Sequence, residues 1–149
     1  MFVYNYRLYD RYRQPVASLA VLADDQPGWR PDHFSLEALG CKHQLNFPIV
    51  KLLDYAEQIE QLESSKNPFA LVTLAHLRTR QTQKLPQERF EAKLQLIRLL
   101  YQRGWERQQI LDLFAVLDWM MRLPANLEQK LWQEIHTIEG GNMPYVTGI

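Results

Sequence analysis

The sequence predicts an α+β chain: an N-terminal helix with a small sheet of two to three strands, then a C-terminal bundle of four to five helices. Three observations carry this. An aromatic periodicity near 3.6 residues opens the chain, strand-like runs are confined to residues 16–53, and helical apolar spacing dominates after Asp54. The division falls as 1–53 for the α/β part and 54–149 for the helical part. Together they are expected to form one globular unit of ordinary single-domain size.

Each element has its own signal. In the first dozen residues Phe2, Tyr6, Tyr9 and Arg13 fall on one helical stripe and Tyr4, Leu8 and Tyr12 on its neighbour, giving a short helix with a broad aromatic face. Pro15 bars its continuation, since proline lacks an N–H and clashes with the preceding turn. The run VASLAVLA, residues 16–23, has only Ser18 as a polar residue and reads as a strand buried on both faces. DDQPGWRPDH, residues 24–33, is dense in turn formers and reads as a loop. Residues 34–39 and 44–53 read as two more strands, separated by Gly40, with Pro48 marking an edge or a bulge.

Helices follow. DYAEQIEQLESS is a short polar one, and Asn67-Pro68 supplies an N-cap and a first-turn proline for the next. Residues 86–103 carry Phe90, Leu94, Ile97 and Tyr101 on one face, with Gly104 as the terminating residue. Ile110, Phe114, Leu117 and Met121 mark a further helix ahead of Pro124, and Leu127, Leu131 and Ile135 mark the last, ending at Gly140-Gly141. The stretch DLFAVLDWMMRL is apolar on more than one side, so it belongs at the bundle centre or at a contact with another chain.

Composition narrows the function classes. Lys+Arg and Asp+Glu both number 17, and residues 1–83 hold nine of each sign, so no basic block stands out as a nucleic-acid footprint. A single cysteine, Cys41, excludes an intrachain disulfide and a multi-cysteine metal site, which fits a reducing cytoplasm. No apolar run approaches the roughly 18 residues of a membrane span, and the N-terminus lacks a signal-peptide core, so no membrane partner is expected.

The 16–23 strand raises a problem of pairing. A doubly buried strand needs hydrogen-bonding neighbours on both sides, at about 1–3 kcal/mol for each buried group left unpaired. The candidate partners both lie downstream, and one carries Pro48. A helix that feeds a buried strand is also the second half of a βαβ unit, whose first strand would precede the helix.

At this point several blocks, in order, become informative together. MFVYNYRLYDRYRQPVASLAVLADD, WRPDHFSLEALGCKHQLNFPIVKLLDY, NPFALVTLAHL, LLYQRGWERQQILDLFAVLDWMMRLP and MPYVTGI resemble the C-terminal part of the Rpn family of recombination-promoting, transposase-like nucleases. The resemblance implies part of a PD-(D/E)XK nuclease-like core, in which acidic residues on two strands hold a divalent metal such as Mg to activate water against a phosphodiester. In that family the final acidic strand, with its Glu-x-Gln, lies just ahead of the helix corresponding to Met1–Arg13. No catalytic or metal residue is therefore carried over, and no cofactor is expected for this chain. Short products of the 3′ part of such genes are described as restraining the full-length nuclease, which implies a non-catalytic interaction or regulatory module. Its partner would be itself or a full-length relative. The alternatives are part of a metal-dependent DNA endonuclease whose acidic strands lie upstream or in another subunit, and a decayed transposase-like gene product.

Other constellations point to contacts more than to chemistry. Tyr4, Arg7 and Arg11 are the candidate nucleic-acid contacts of the first helix. Phe2, Tyr6, Tyr9, Trp119 and Met120 are the candidate interface residues. Asp24 and Asp25, the best acidic pair, read as turn caps. His33, His43, His76 and His136 lack ligand spacing, and Cys41 lacks a basic cluster to activate it. LLYQRGWERQQILDLF could be a helix-turn-helix, but Glu106 and Asp112 offset Arg107 and favour a core αα-hairpin.

Overall fold

The computed structural model describes residues 1–140, so the closing MPYVTGI and Gly141 lie outside the described residues. The chain is α+β and divides after Asp54 into two compact units.

The N-terminal unit begins with α1 (Phe2–Tyr12). Arg13 closes the helix in the left-handed region, φ 51°, donating its N–H to the Tyr9 carbonyl two residues ahead of Pro15. Four short strands follow in two separate ladders. β1 (Ala20–Leu22) pairs in parallel with β4 (Ile49–Lys51), and β2 (His33–Ala38) pairs antiparallel with β3 (Cys41–Asn46) through the tight turn at Leu39-Gly40. Pro48 divides the long second strand into β3 and β4, which raises the strand count to four. Its carbonyl accepts from Ala20 N at 3.0 Å and so helps set the parallel register.

The reading of residues 16–23 as a doubly buried strand is corrected. Only three residues of that run form a ladder; Leu22 is buried, but Leu19 and Val21 are exposed, Val21 at 57%. The face carrying Leu22 is covered, whereas the opposite face carrying Val21 has no layer packed over it among the described residues. The pairing problem persists in part, because β1 has a single ladder neighbour, β4, among the described residues.

A 3₁₀ turn (Leu52–Tyr55) leads to the helical unit: α2 (Ile59–Ser64), α3 (Pro68–Gln81), α4 (Pro86–Gln102), α5 (Arg107–Met120) and α6 (Ala125–Glu139). Asn67 caps α3 as its sequence requires, its Oδ1 accepting from Phe69 N at 3.0 Å with Pro68 in the first turn. Gly104, at φ 67°, takes the left-handed conformation that ends α4. Pro124 serves as the N-cap of α6, one helix later than the stop it was expected to impose, because α5 already ends at Met120.

α3 packs on α2, α4 and α5 and buries Ala70, Leu71, Leu74, Ala75 and Leu77 along one broad face, while α4 packs on α3, α5 and α6. The more apolar-looking α5 buries Ile110, Leu113, Phe114 and Leu117 against α3 and α4 but leaves Ala115 and Trp119 outward. α4 and α5 follow one another across Gly104 and pack together. Leu131 and Ile135 of α6 close the remaining side, with Phe114 and Trp132 in ring contact at 5.6 Å. Lys93 is fully buried within this apolar set, and its Nζ meets Asp118 at 2.7 Å. Among the described residues no helix is long and apolar enough to cross a membrane.

Candidate functional site

The candidate site is the outer surface of the N-terminal unit, built from α1 and the β1/β4 pair. α1 buries no residue fully. One stripe rests inward: Phe2 stacks on Phe34 of β2 with ring centroids 5.1 Å apart and meets His43 of β3 edge-on at 6.4 Å. Asn5 anchors the next turn, its Nδ2 donating to the Val16 carbonyl and to Ser18 Oγ, both at 3.0 Å. This explains Ser18, the one polar residue of an otherwise apolar run.

The rest of α1 faces outward. Tyr4 is 72% exposed, and Val3, Tyr6, Leu8, Tyr9 and Tyr12 all keep about half or more of their surface. Tyr4, Arg7 and Arg11, spaced at three and four residues, share one exposed stripe, with the Arg11 guanidinium 5.2 Å from the Tyr12 ring centroid. Tyr6 and Tyr9 lie on the other. Trp119 and Met120 belong to the helical unit: Trp119 is exposed, and Met120 is partly buried against the core.

Behind β1 and β4 sits a charged knot that holds the strand ends together. Lys51, only 1% exposed, sends Nζ to both carboxylate oxygens of Asp24 at 2.8 Å and to the Trp29 carbonyl at 3.1 Å. The Trp29 ring lies 5.9 Å from the same ammonium. A buried ammonium needs this full set of partners, because an unpaired one would carry a desolvation penalty of several kcal/mol. The Lys51 bond holds the Asp24 carboxyl below the ordinary carboxylate range, against partial desolvation that acts the other way.

Asp24 also accepts from Gln26 N at 2.9 Å, so it caps the turn as its sequence predicts while serving as counter-ion. Arg30 forms a forked pair with Asp54, Nη1 to Oδ2 at 3.0 Å and Nη2 to Oδ1 at 2.5 Å, which lowers the Asp54 pKa and raises that of Arg30. The DDQPGWRPDH loop is thereby tied at both ends. Among the described residues no group of three or more His, Cys, Asp or Glu converges as a metal site would require.

One juxtaposition escaped the sequence reading. Cys41 Sγ lies 3.6 Å from His43 Nε2, on the face of β3 whose His43 meets Phe2 of α1. The signal was present, because residues i and i+2 of a strand share a face. No third polar group joins the pair among the described contacts, and Cys41 is exposed.

Comparison with protein-family models, with curated proteins and with solved structures finds no match.

Proposed function

We propose that this chain is the C-terminal segment of an Rpn-like, transposase-like nuclease and works as a non-catalytic interaction and regulatory module. The observation that carries the reading is the β1 strand, laddered among the described residues to β4 alone, with Leu19 and Val21 outward next to an exposed aromatic helix. An open strand edge is a template for pairing with another chain, and an exposed aromatic face adds the apolar area that such pairing needs. The partner is a full-length relative of the same family, whose core would add a strand beside β1 and cover Tyr6 and Tyr9. Any divalent metal belongs to that partner's acidic strands, and the module acts in the cytoplasm.

The test is direct. Purified chain, added in excess to a full-length relative cutting DNA, suppresses cleavage. Unchanged cleavage removes the proposal. Stimulated cleavage would instead favour a subunit that completes an enzyme.

A further inference from the structure

We propose that the helical unit carries a nucleotide-binding surface: a phosphate seated in the cleft between the starts of α4 and α6, and a base laid on Trp119. The inference is independent of the docking role given to the N-terminal unit. The cleft, of about 200 Å³, is lined by Thr82, Lys84, Arg89 and Arg122 together with the apolar residues that open the two helices.

Its charge is uncompensated. Arg89 is fixed in place by donating to the Thr79 and Thr82 carbonyls, both at 3.2 Å, and to Thr82 Oγ1 at 3.3 Å. These acceptors orient the guanidinium without neutralising it, and they leave Nη1 without a hydrogen bond among the described residues. Lys84 and Arg122 make no ion pair with a described residue. No carboxylate lines the cleft among the described residues; the first-turn acids Glu88 and Glu128 are absent from its walls. Three cationic residues line a recess that holds no carboxylate among the described residues.

The backbone adds to this. α4 and α6 start at Leu85 and Pro124, neither of which offers a side-chain acceptor to the free N–H groups of the first turn. Both helix starts line the cleft, so two positive dipole ends reinforce the cations. Lys84 is held at φ 68°, a left-handed conformation disfavoured for lysine.

Arg122 connects the cleft to a second, larger recess of about 430 Å³, whose walls are Thr79, Trp119, Met120 and Arg122. Trp119, one of those walls, is 69% exposed. An exposed indole beside a cluster of cations is the pairing that holds single-stranded nucleic acid, by stacking a base while the cations take the phosphate. The shared chemistry is that of a nucleobase joined to a phosphate, from a free nucleotide or from a strand.

The experiment uses the full chain and three probes: inorganic phosphate, thymidine 5′-monophosphate and a labelled ten-residue oligothymidylate, followed by calorimetry and fluorescence anisotropy. Binding of the nucleotide probes is expected to be saturable and to weaken with salt. K84G combined with R122Q should weaken all three probes by at least about tenfold, and the oligothymidylate salt slope should fall by about one per charge removed. W119A should weaken both nucleotide probes about tenfold and leave inorganic phosphate unchanged.

Glycine accepts the φ at position 84 without strain, so K84G removes the charge while the fold is retained, as circular dichroism would verify. Affinity that rises with length identifies a strand as the ligand; equal affinity for the mononucleotide identifies a free nucleotide. Absence of saturable nucleotide binding, or binding indifferent to either set of substitutions, overturns the proposal.

Discussion

The two units of this chain bury their apolar residues to very different degrees. The contiguous core of buried residues lies wholly in the helical unit, from Leu62 to Ile135, with Leu74, Ala75, Ile97, Leu100 and Ile135 fully inaccessible. In the N-terminal unit Leu22 is the one buried hydrophobic side chain among the described residues, and the other fully enclosed group is the charged Lys51. The helical unit is organised by apolar burial, whereas the N-terminal unit relies on a ladder of three residue pairs, a hairpin and the Lys51–Asp24 and Arg30–Asp54 ion pairs. The lesson is that a short segment can keep a defined backbone through specific polar ties while its apolar area remains available for contact.

The largest test of this contrast is a pair of truncations. Ile97→Ala should destabilise the helical unit by about 2–5 kcal/mol, the range for deleting a fully buried aliphatic side chain. Val21→Ala should change stability by no more than about 0.5 kcal/mol, the usual effect at an exposed position. Urea unfolding measures both, and similar losses would break the contrast. Next comes the charged knot. Asp24→Asn leaves the Lys51 ammonium enclosed without its counter-ion, so amide exchange at β1 and β4 should accelerate. Lys51→Met, an apolar replacement of similar length, should accelerate it less, because the Asp24 carboxylate that remains is partly solvated.

Acid should act on the same ties. Asp24 and Asp54 have folded pKa values below the ordinary range, so their contribution is complete above the unfolded value of about 3.9. That contribution is lost as pH falls through the lower folded values. Protection factors at β1 and β4, which remove the intrinsic pH dependence of amide exchange, should therefore fall below about pH 4 in a series from pH 5 down to 2, and a flat profile of protection would refute the role given to these pairs. A smaller effect is expected at the helix cap: Asn67→Ala should remove about 1 kcal/mol from the helical unit in urea unfolding. The smallest is at the aromatic face. Replacing Tyr6 and Tyr9 by serine should alter stability by no more than about 0.5 kcal/mol, yet abolish suppression of the full-length nuclease if that face is the docking surface.

Legibility in the sequence followed the range over which each signal acts. Asn67-Pro68, Gly104 and Pro48 were decisive because a cap, a left-handed terminator and a missing N–H impose themselves within a few residues. The β1 reading fails because a continuous apolar run is buried on both faces only where layers pack on both sides of the sheet, and the Val21 face has none among the described residues. The two-sided apolar pattern of α5 leaves a bundle centre and a contact with another chain both open, and its residues divide accordingly, with Leu113, Phe114 and Leu117 buried and Trp119 exposed. The charged features were hidden by distance along the chain. Lys51 and Asp24 are 27 residues apart and Lys93 and Asp118 are 25 apart, so the apolar neighbours of each lysine do not show which carboxylate will meet it. For the outward α1 residues Tyr4, Tyr6 and Tyr9, periodicity gave the stripes correctly, but which stripe would be covered depended on how much sheet lay beneath.

The turn at Leu39-Gly40 carries a last consequence. Both central residues have positive φ, 51° and 80°, the backbone of a type I′ hairpin turn, for which Asn-Gly is the favoured pair. A fully exposed leucine stands where asparagine would be more comfortable. The tip of this hairpin is therefore the natural first cut for a leucine-directed protease. Leu39→Asn should both slow that nick and stiffen the loop, making this turn a simple handle for tuning the lifetime of the chain.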